Sequence, residues 1–258
     1  MKAEECVMES SMLKIIDLSF SYDGKREVFS GINLDIKAGE CIGLIGANGV
    51  GKSTLLKLIV GLEFAKKGKI IVNNMEVNSK NLREVRKNIG YVFQDSDAQL
   101  FMPTVHEDVK FALLNYGYGK DEADQIAYET LKKIGIENLK DQSIYHLSGG
   151  QKKLVSIATV LVLNPDMIIF DEPTVCLDPK NRRKFMEVLR SLGGTKIVAS
   201  HDLDLIYDTC DRSVLIADQR IVKEGITQKI LTDRELLENN GLELPLSMIS
   251  RNKMSVIM

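Results

Sequence analysis

Residues 46–54, Gly46-Ala47-Asn48-Gly49-Val50-Gly51-Lys52-Ser53-Thr54, decide how the rest of the chain reads. They match the pattern G-x-x-x-x-G-K-[ST]. The apolar run Cys41-Ile42-Gly43-Leu44-Ile45 precedes them, and good helix formers follow from Ser53 to Ile59. A short apolar run reads as a buried strand, so the order is strand, glycine-rich turn, helix. That is the context in which the pattern cradles phosphate. Glycines at 46, 49 and 51 let the backbone curl and approach a polyphosphate without Cβ clashes. The curl turns N–H groups inward, and the helix adds the positive end of its dipole. Lys52 can then reach the β- and γ-phosphates, and the Ser53 hydroxyl can ligate Mg²⁺. A glycine-rich turn that merely holds a lysine would need the flanking strand and helix to be accidents as well.

Composition narrows the class. The chain has 258 residues, 44% hydrophobic and 27% charged, as expected of a globular protein with a sizeable core. Its net charge of −2 gives no global field toward nucleic acid or anionic lipid. Cys6, Cys41, Cys176 and Cys210 are scattered with no C-x-x-C pair, which favours reduced cytoplasmic thiols over disulfides or zinc. The start, Met1-Lys2-Ala3-Glu4-Glu5, lacks the apolar centre of a signal peptide. The longest nearly apolar stretch, Leu154 to Leu163, falls far short of the roughly 20 residues a membrane helix needs. Any membrane span must therefore come from another chain.

Leu13 to Tyr22 and Ile32 to Ile36 alternate apolar and polar residues and predict antiparallel strands. Beyond the phosphate loop, strands are expected at Lys69 to Val72 and Ile89 to Phe93, with a short basic helix (Asn81 to Lys87) between them. Thr104-Val105-His106-Glu107 predicts a capping box, opening a helix stopped at Gly117. A second helix runs from Asp121 to about Ile134. Leu147-Ser148-Gly149-Gly150-Gln151 leads into an amphipathic helix ended by Asn164-Pro165, and its Ser-Gly-Gly turn is a second potential anion site. Met167 to Phe170 is fully apolar, as a central parallel strand is. It delivers Asp171 and Glu172 to its carboxyl end, where open α/β sheets bind ligands. An extended backbone sends adjacent carboxylates to opposite sides, so one can hold Mg²⁺ through water while the other faces a nucleophile. Asp178-Pro179 reads as N-cap and first residue of the next helix. Lys196 to Ser200 reads as a strand presenting His201 and Asp202, and a hairpin turns at Asp218-Gln219. Thr232 to Glu235 predicts another capping box.

Taken in order, these segments resemble the nucleotide-binding subunit of ATP-binding cassette (ABC) transporters over nearly the whole chain. Gly46 to Thr54 resembles its Walker A, Met167 to Glu172 its Walker B, and Leu147 to Gln151 (LSGGQ) its signature. Gln94 resembles the Q-loop, Asp178 the D-loop, His201 the H-loop, and Tyr22 the aromatic that stacks on adenine. Read without the family, Tyr22, Gln94, Asp178 and His201 are ordinary edge, capping or hydrogen-bonding residues. Two departures stand out. Lys152-Lys153-Leu154 follows the signature where a glutamine-arginine pair is usual, and Val175-Cys176-Leu177 precedes the D-loop where small residues are usual.

The resemblance implies an α/β fold. It would be a P-loop NTPase core with a mostly parallel central sheet, an N-terminal antiparallel β subdomain and a helical subdomain inserted at about 95–165. Residues 1–240 form one cassette in this reading, and 241–258 a short extension. It implies ATP and Mg²⁺ as cofactors. Ser53, Gln94 and Asp171 would stand at the metal, Glu172 would be the general base, and His201 would orient the attacking water. Ser148, Gly149, Gly150 and Gln151 would meet ATP held by a second ATPase subunit, identical or related, with Asp178 at that interface. Gln94-Asp95-Ser96-Asp97-Ala98-Gln99-Leu100-Phe101 and the tail Gly241 to Leu246 resemble the ATPases of energy-coupling-factor importers, the cobalt, nickel and vitamin uptake group. Partners would be a transmembrane coupling subunit and a substrate-binding membrane subunit, with no nucleic acid, at the cytoplasmic face of the membrane. The cargo would be carried by those subunits, since His106, His146 and His201 are dispersed. Rival readings are a cassette ATPase outside transport, a small-molecule kinase and a nucleotide-binding scaffold without turnover.

Overall fold

A computed structural model describes residues 10–249 except 25 and 176. The acidic start, Cys6, Cys176 and the tail from residue 250 lie outside the described residues. In chain order the elements are β1 (Ser11–Phe20), β2 (Phe29–Lys37), β3 (Cys41–Ile45), α1 (Lys52–Ile59), β4 (Lys67–Val72) and β5 (Met75–Glu76). Then come α2 (Leu82–Asn88), β6 (Ile89–Val92), α3 (Val105–Asn115), α4 (Lys120–Lys133), α5 (Gly149–Leu161) and β7 (Met167–Asp171). The chain continues through α6 (Pro179–Ser191), β8 (Thr195–Ala199), α7 (Leu203–Thr209), β9 (Arg212–Ala217), β10 (Arg220–Ile226), α8 (Thr227–Leu231) and α9 (Arg234–Asn239).

The alternating N-terminal segments form an antiparallel sheet in the order β2-β1-β4-β5. The apolar runs form a second sheet, β10-β9-β3-β8-β7-β6, parallel except for the edge pair β9/β10. Asp218 and Gln219 both take positive φ, 46° and 67°, as a tight hairpin turn requires. Strand periodicity divides the core. Ile42, Leu44, Met167, Ile169, Ile197 and Ala199 face the cluster shared with the antiparallel sheet and α1. Cys41, Ile45, Ile168, Phe170 and Val198 face the cluster shared with the helices on the other side. A sheet buried on both faces explains why these runs are continuously apolar. At Gly43 an added Cβ would lie 2.4 Å from Ile206 Cγ2, so α7 rests directly on β3.

Local expectations were met unevenly. Ser148 and Gln151 close a full capping box at the start of α5. Thr104 accepts from the Glu107 N–H at 3.3 Å, but the Glu107 carboxylate takes the Thr104 hydroxyl rather than its backbone N–H. The box expected at Thr232 is displaced by one residue. Asp233 caps α9 by accepting from the Leu236 N–H, whereas Thr232 terminates α8. Asp wins because its carboxylate already reaches the amide of the third helical residue, and a charged acceptor adds the dipole term. Tyr22 lies beyond β1, which ends at Phe20.

Among the described residues no helix is long and apolar enough to cross a membrane. Phe170 is fully buried and meets Phe185 of α6 edge-on, ring centroids 5.8 Å apart. Phe170→Ala is expected to lower stability by about 3–5 kcal/mol, measured as a shift in the denaturant midpoint at unchanged slope.

Candidate functional site

Because β3, β8 and β7 are parallel neighbours, their carboxyl ends share one edge of the sheet. That edge receives the 46–51 loop from β3, Ser200 and His201 from β8, and Asp171 and Glu172 from β7. A cavity there of about 490 Å³ is lined by Asn48, Gly49, Gly51, Lys52, Ser53, Thr54, Gln94, Glu172, Val175 and His201.

Two glycines fix the path of the loop. Gly51 has φ 109°, and a Cβ there would lie 2.8 Å from Phe29 Cζ. Gly46 has φ 154° with its Cβ direction 2.4 Å from the Ile216 carbonyl oxygen. The curl so fixed precedes α1, whose first amides have no acceptor within the helix.

Three charged side chains are buried here together: Lys52, Asp171 and Glu172, at 6%, 5% and 7% exposure. Lys52 Nζ folds back on the loop, donating to the Gly46 carbonyl at 2.8 Å, and lies 3.7 Å from Glu172 Oε1. Burial pushes the ammonium below its ordinary pKa, opposed by Glu172 and Asp171. Burial raises Asp171, opposed by hydrogen bonds from Tyr91 and Ser53. Ser53 Oγ donates to Asp171 Oδ1 at 3.0 Å and the Tyr91 hydroxyl to Oδ2 at 2.9 Å. Tyr91 is itself held protonated, by burial first and then by Asp171.

Glu172 departs from the simple pleat. Its φ of 44° ends the extended backbone at Asp171, so the two carboxylates are not sent to opposite faces of a strand. The left-handed turn instead brings both to the phosphate loop, Asp171 to Ser53 and Glu172 to Lys52. Glu172 Oε2 accepts from the His201 backbone N–H at 3.2 Å and lies 2.7 Å from His201 Nδ1 and 3.3 Å from Ser200 Oγ, which donates to it.

Tyr22 stands at the mouth, 57% exposed, with its hydroxyl 3.0 Å from Thr54 Oγ1 and its ring edge-on to Phe20. Ala47 and Val50 belong to the same loop. Ser148, Gly149, Gly150 and Gln151 do not line this cavity. They open α5 elsewhere, with the Ser148 oxygen accepting from the Gln151 N–H at 3.3 Å. Gly150 packs against the Asn181 side chain, where a Cβ would lie 2.2 Å from its Cγ. Asn181 Nδ2 donates to Asp178 Oδ2 at 2.6 Å, and Asp178 caps α6 through the Lys180 and Asn181 amides. The Ser-Gly-Gly turn and Asp178 thus form one surface, separate from the phosphate cavity.

The sequence reading missed Tyr91, Ser200 and Lys153. Alternation along β6 places Tyr91 on a known face, but only the β6/β7 pairing, with Tyr91 opposite Ile169, reveals its contact with Asp171. Lys153 carried a signal as the middle residue of the Lys152-Lys153-Leu154 departure after the signature. Asp202, noted only for its position, is gripped by Arg182 through two bonds of 2.8 and 3.0 Å.

Residues 29–175 match the ABC transporter family. A putative ABC transporter ATP-binding protein of Geobacter sulfurreducens is 41% identical over 241 residues, 93% of this chain and 97% of that protein. The energy-coupling factor transporter ATP-binding protein EcfA of Methanocaldococcus jannaschii is 41% identical over 234 residues, covering 89% of this chain and 84% of that one. Among solved structures, cbiO1 from Clostridium perfringens, part of the ABC transporter complex cbiONQ, superposes with a TM-score of 0.80 at 37% identity, over 90% of this chain and 94% of that one. A dimeric cassette in a post-hydrolysis state bound to ADP and Pi gives 0.76 at 29% identity, over 84% of this chain and 99% of that one.

Gly51→Ala tests the loop. It places a side chain in left-handed backbone against Phe29 and is expected to cost about 1–3 kcal/mol of stability, read from thermal unfolding. It should also weaken triphosphate binding at least about tenfold, by calorimetric titration, because the amides no longer converge.

Proposed function

The chain belongs to the ABC transporter family and is an ATPase of that family; from this premise we propose that it drives an energy-coupling-factor importer of a metal ion or vitamin. The observation that carries the site reading is the cluster of Lys52, Asp171, Glu172 and His201 around one phosphate loop, with the Ser-Gly-Gly turn held apart from it. One chain offers a complete cradle and, elsewhere, a second anion-binding turn. Two copies, or this chain and a close relative, set head to tail would bring each turn onto the other's γ-phosphate. ATP then joins the halves, and its cleavage lets them part.

In that mechanism Lys52 exchanges the loop carbonyls for the β- and γ-phosphate oxygens, where its charge is worth more. Glu172 takes a proton from the attacking water at Oε1, the oxygen facing Lys52, because Oε2 is engaged by Ser200 and His201. His201 orients the water, and Tyr22 stacks on the base. Ser53 Oγ and Asp171 Oδ1, 3.0 Å apart, are hard oxygen donors suited to Mg²⁺, with the Gln94 amide lining the same cavity. Bound there, Mg²⁺ would neutralise charge on the β- and γ-phosphates. Tyr91 keeps Asp171 aimed at that position.

The importer assignment is supported by EcfA and cbiO1 as relatives and by the segment 94–101, which follows the site. Phe101 in that segment is 59% exposed and meets the Phe111 ring at 4.8 Å. It is an apolar feature fit for a membrane coupling subunit at the cytoplasmic face. Co-purification of the tagged chain with a transmembrane subunit tests this, and association with DNA or ribosomes instead would place it outside transport.

The chemistry is tested separately. Glu172→Gln should bind ATP with unchanged affinity and lose turnover by about 10²–10⁴-fold, measured as phosphate release. Turnover at the parent rate would remove Glu172 from the role of base.

A further inference from the structure

Lys153 is a second buried lysine near the site, and no step of the phosphate chemistry uses it. It lies on α5 just beyond the Ser-Gly-Gly turn and is 3% exposed. Its Nζ donates to the carbonyl of Phe93 at 2.8 Å and to that of Gln94 at 2.9 Å. The Phe93 N–H is held as well, donating to Gln99 Oε1 at 3.0 Å. Gln99 Nε2 in turn donates to the Ser156 carbonyl and Thr159 Oγ1 of α5, both at 2.9 Å. Lys152 adds an ion pair to Asp97 at the surface. Phe93 and Gln94 are therefore tied to α5 through Phe93 N–H and both carbonyls. Both lysines that follow the signature supply ties to this segment.

We propose that Lys153 is a positioning residue that fixes Gln94 to the signature helix, so that Gln94 and the Ser148–Gly150 turn move as one body. The proposal rests on the nucleotide-bridged pairing described above. A buried ammonium has given up its hydration and must keep its acceptors. Sliding the 93–94 backbone along α5 would strand that charge, and charge-assisted bonds to two carbonyls resist it more than neutral ones. Gln94 lines the phosphate cavity of its own copy, while the turn faces the partner's. The tie thus passes the state of one nucleotide site to the surface that completes the other.

The test uses the full chain in the Glu172→Gln background, which holds ATP without cleaving it. Lys153→Met removes the donors at similar length; Lys153→Gln keeps two N–H donors on one group. We expect Lys153→Met to raise the dissociation constant of the ATP-bound dimer at least about tenfold by sedimentation. The affinity of the single chain for a fluorescent ATP analogue should stay within about twofold. Amide exchange across 93–101 should quicken. Lys153→Gln, neutral and one bond shorter, should restore dimerisation and protection in part. The proposal is overturned if Lys153→Met pairs as well as its parent. It is equally overturned if single-chain nucleotide affinity falls in step with pairing, or if Lys153→Gln behaves like Lys153→Met. If the parent itself does not pair with ATP, the pairing reading fails. Amide exchange then decides the tie alone: exchange faster in Lys153→Met than in Lys153→Gln supports it, and unchanged exchange in Lys153→Met sinks it.

Discussion

A lysine and two carboxylates share one desolvated spot at the carboxyl edge of the central sheet, and the surrounding structure exists to hold them there. Lys52, Asp171 and Glu172 each expose less than a tenth of their surface. None could stay charged alone in such a place. Together, with the loop carbonyls, Ser53, Tyr91, Ser200 and His201 as hydrogen-bond partners, they form a network in which every charge is answered. A network of that kind is stiff, and a stiff arrangement of charges stabilises a transition state without reorganising when charge moves.

The sheet explains how residues far apart in sequence meet. β3, β8 and β7 are parallel and adjacent, so each ends at the same edge and hands its next residues to the same cavity. Their inner residues alternate between two hydrophobic clusters, which anchors the register from both faces. A slip by one residue in any of the three would exchange the clusters and withdraw a charged group from the edge. Core packing and site geometry are thus one constraint. Phe170, buried between sheet and α6, precedes the very carboxylate that stands by Ser53.

The helix α5 plays the complementary part. Its first turn offers hydroxyl and amides away from the cradle, while its interior face grips the 93–99 segment through Lys153, Ser156 and Thr159. The Ser-Gly-Gly turn leans on Asn181 and through it on Asp178, so the start of α5 is braced by the cap of α6.

Much of this was legible in residue order. The phosphate loop, the buried strands, the LSGGQ turn with its capping box and the Asp178-Pro179 cap are local patterns, and local sterics and hydrogen bonding specify them within a few residues. Other features required neighbours that sequence does not supply. At Thr232-Asp233 two capping candidates compete, and the path of α8 into α9 selects Asp233. At Glu172 the pleat predicted opposite faces, but a left-handed residue turned both carboxylates to the same loop. Tyr91 became a partner of Asp171 only through strand pairing, and Lys153 a tie to Gln94 only through packing of α5 on the segment after β6. Sequence alone determined which elements form and which chemical groups they carry, because propensity and periodicity act over one or two turns of chain. Tertiary structure decided which of those groups touch, because contacts across tens of residues depend on strand order and helix packing rather than on any local pattern.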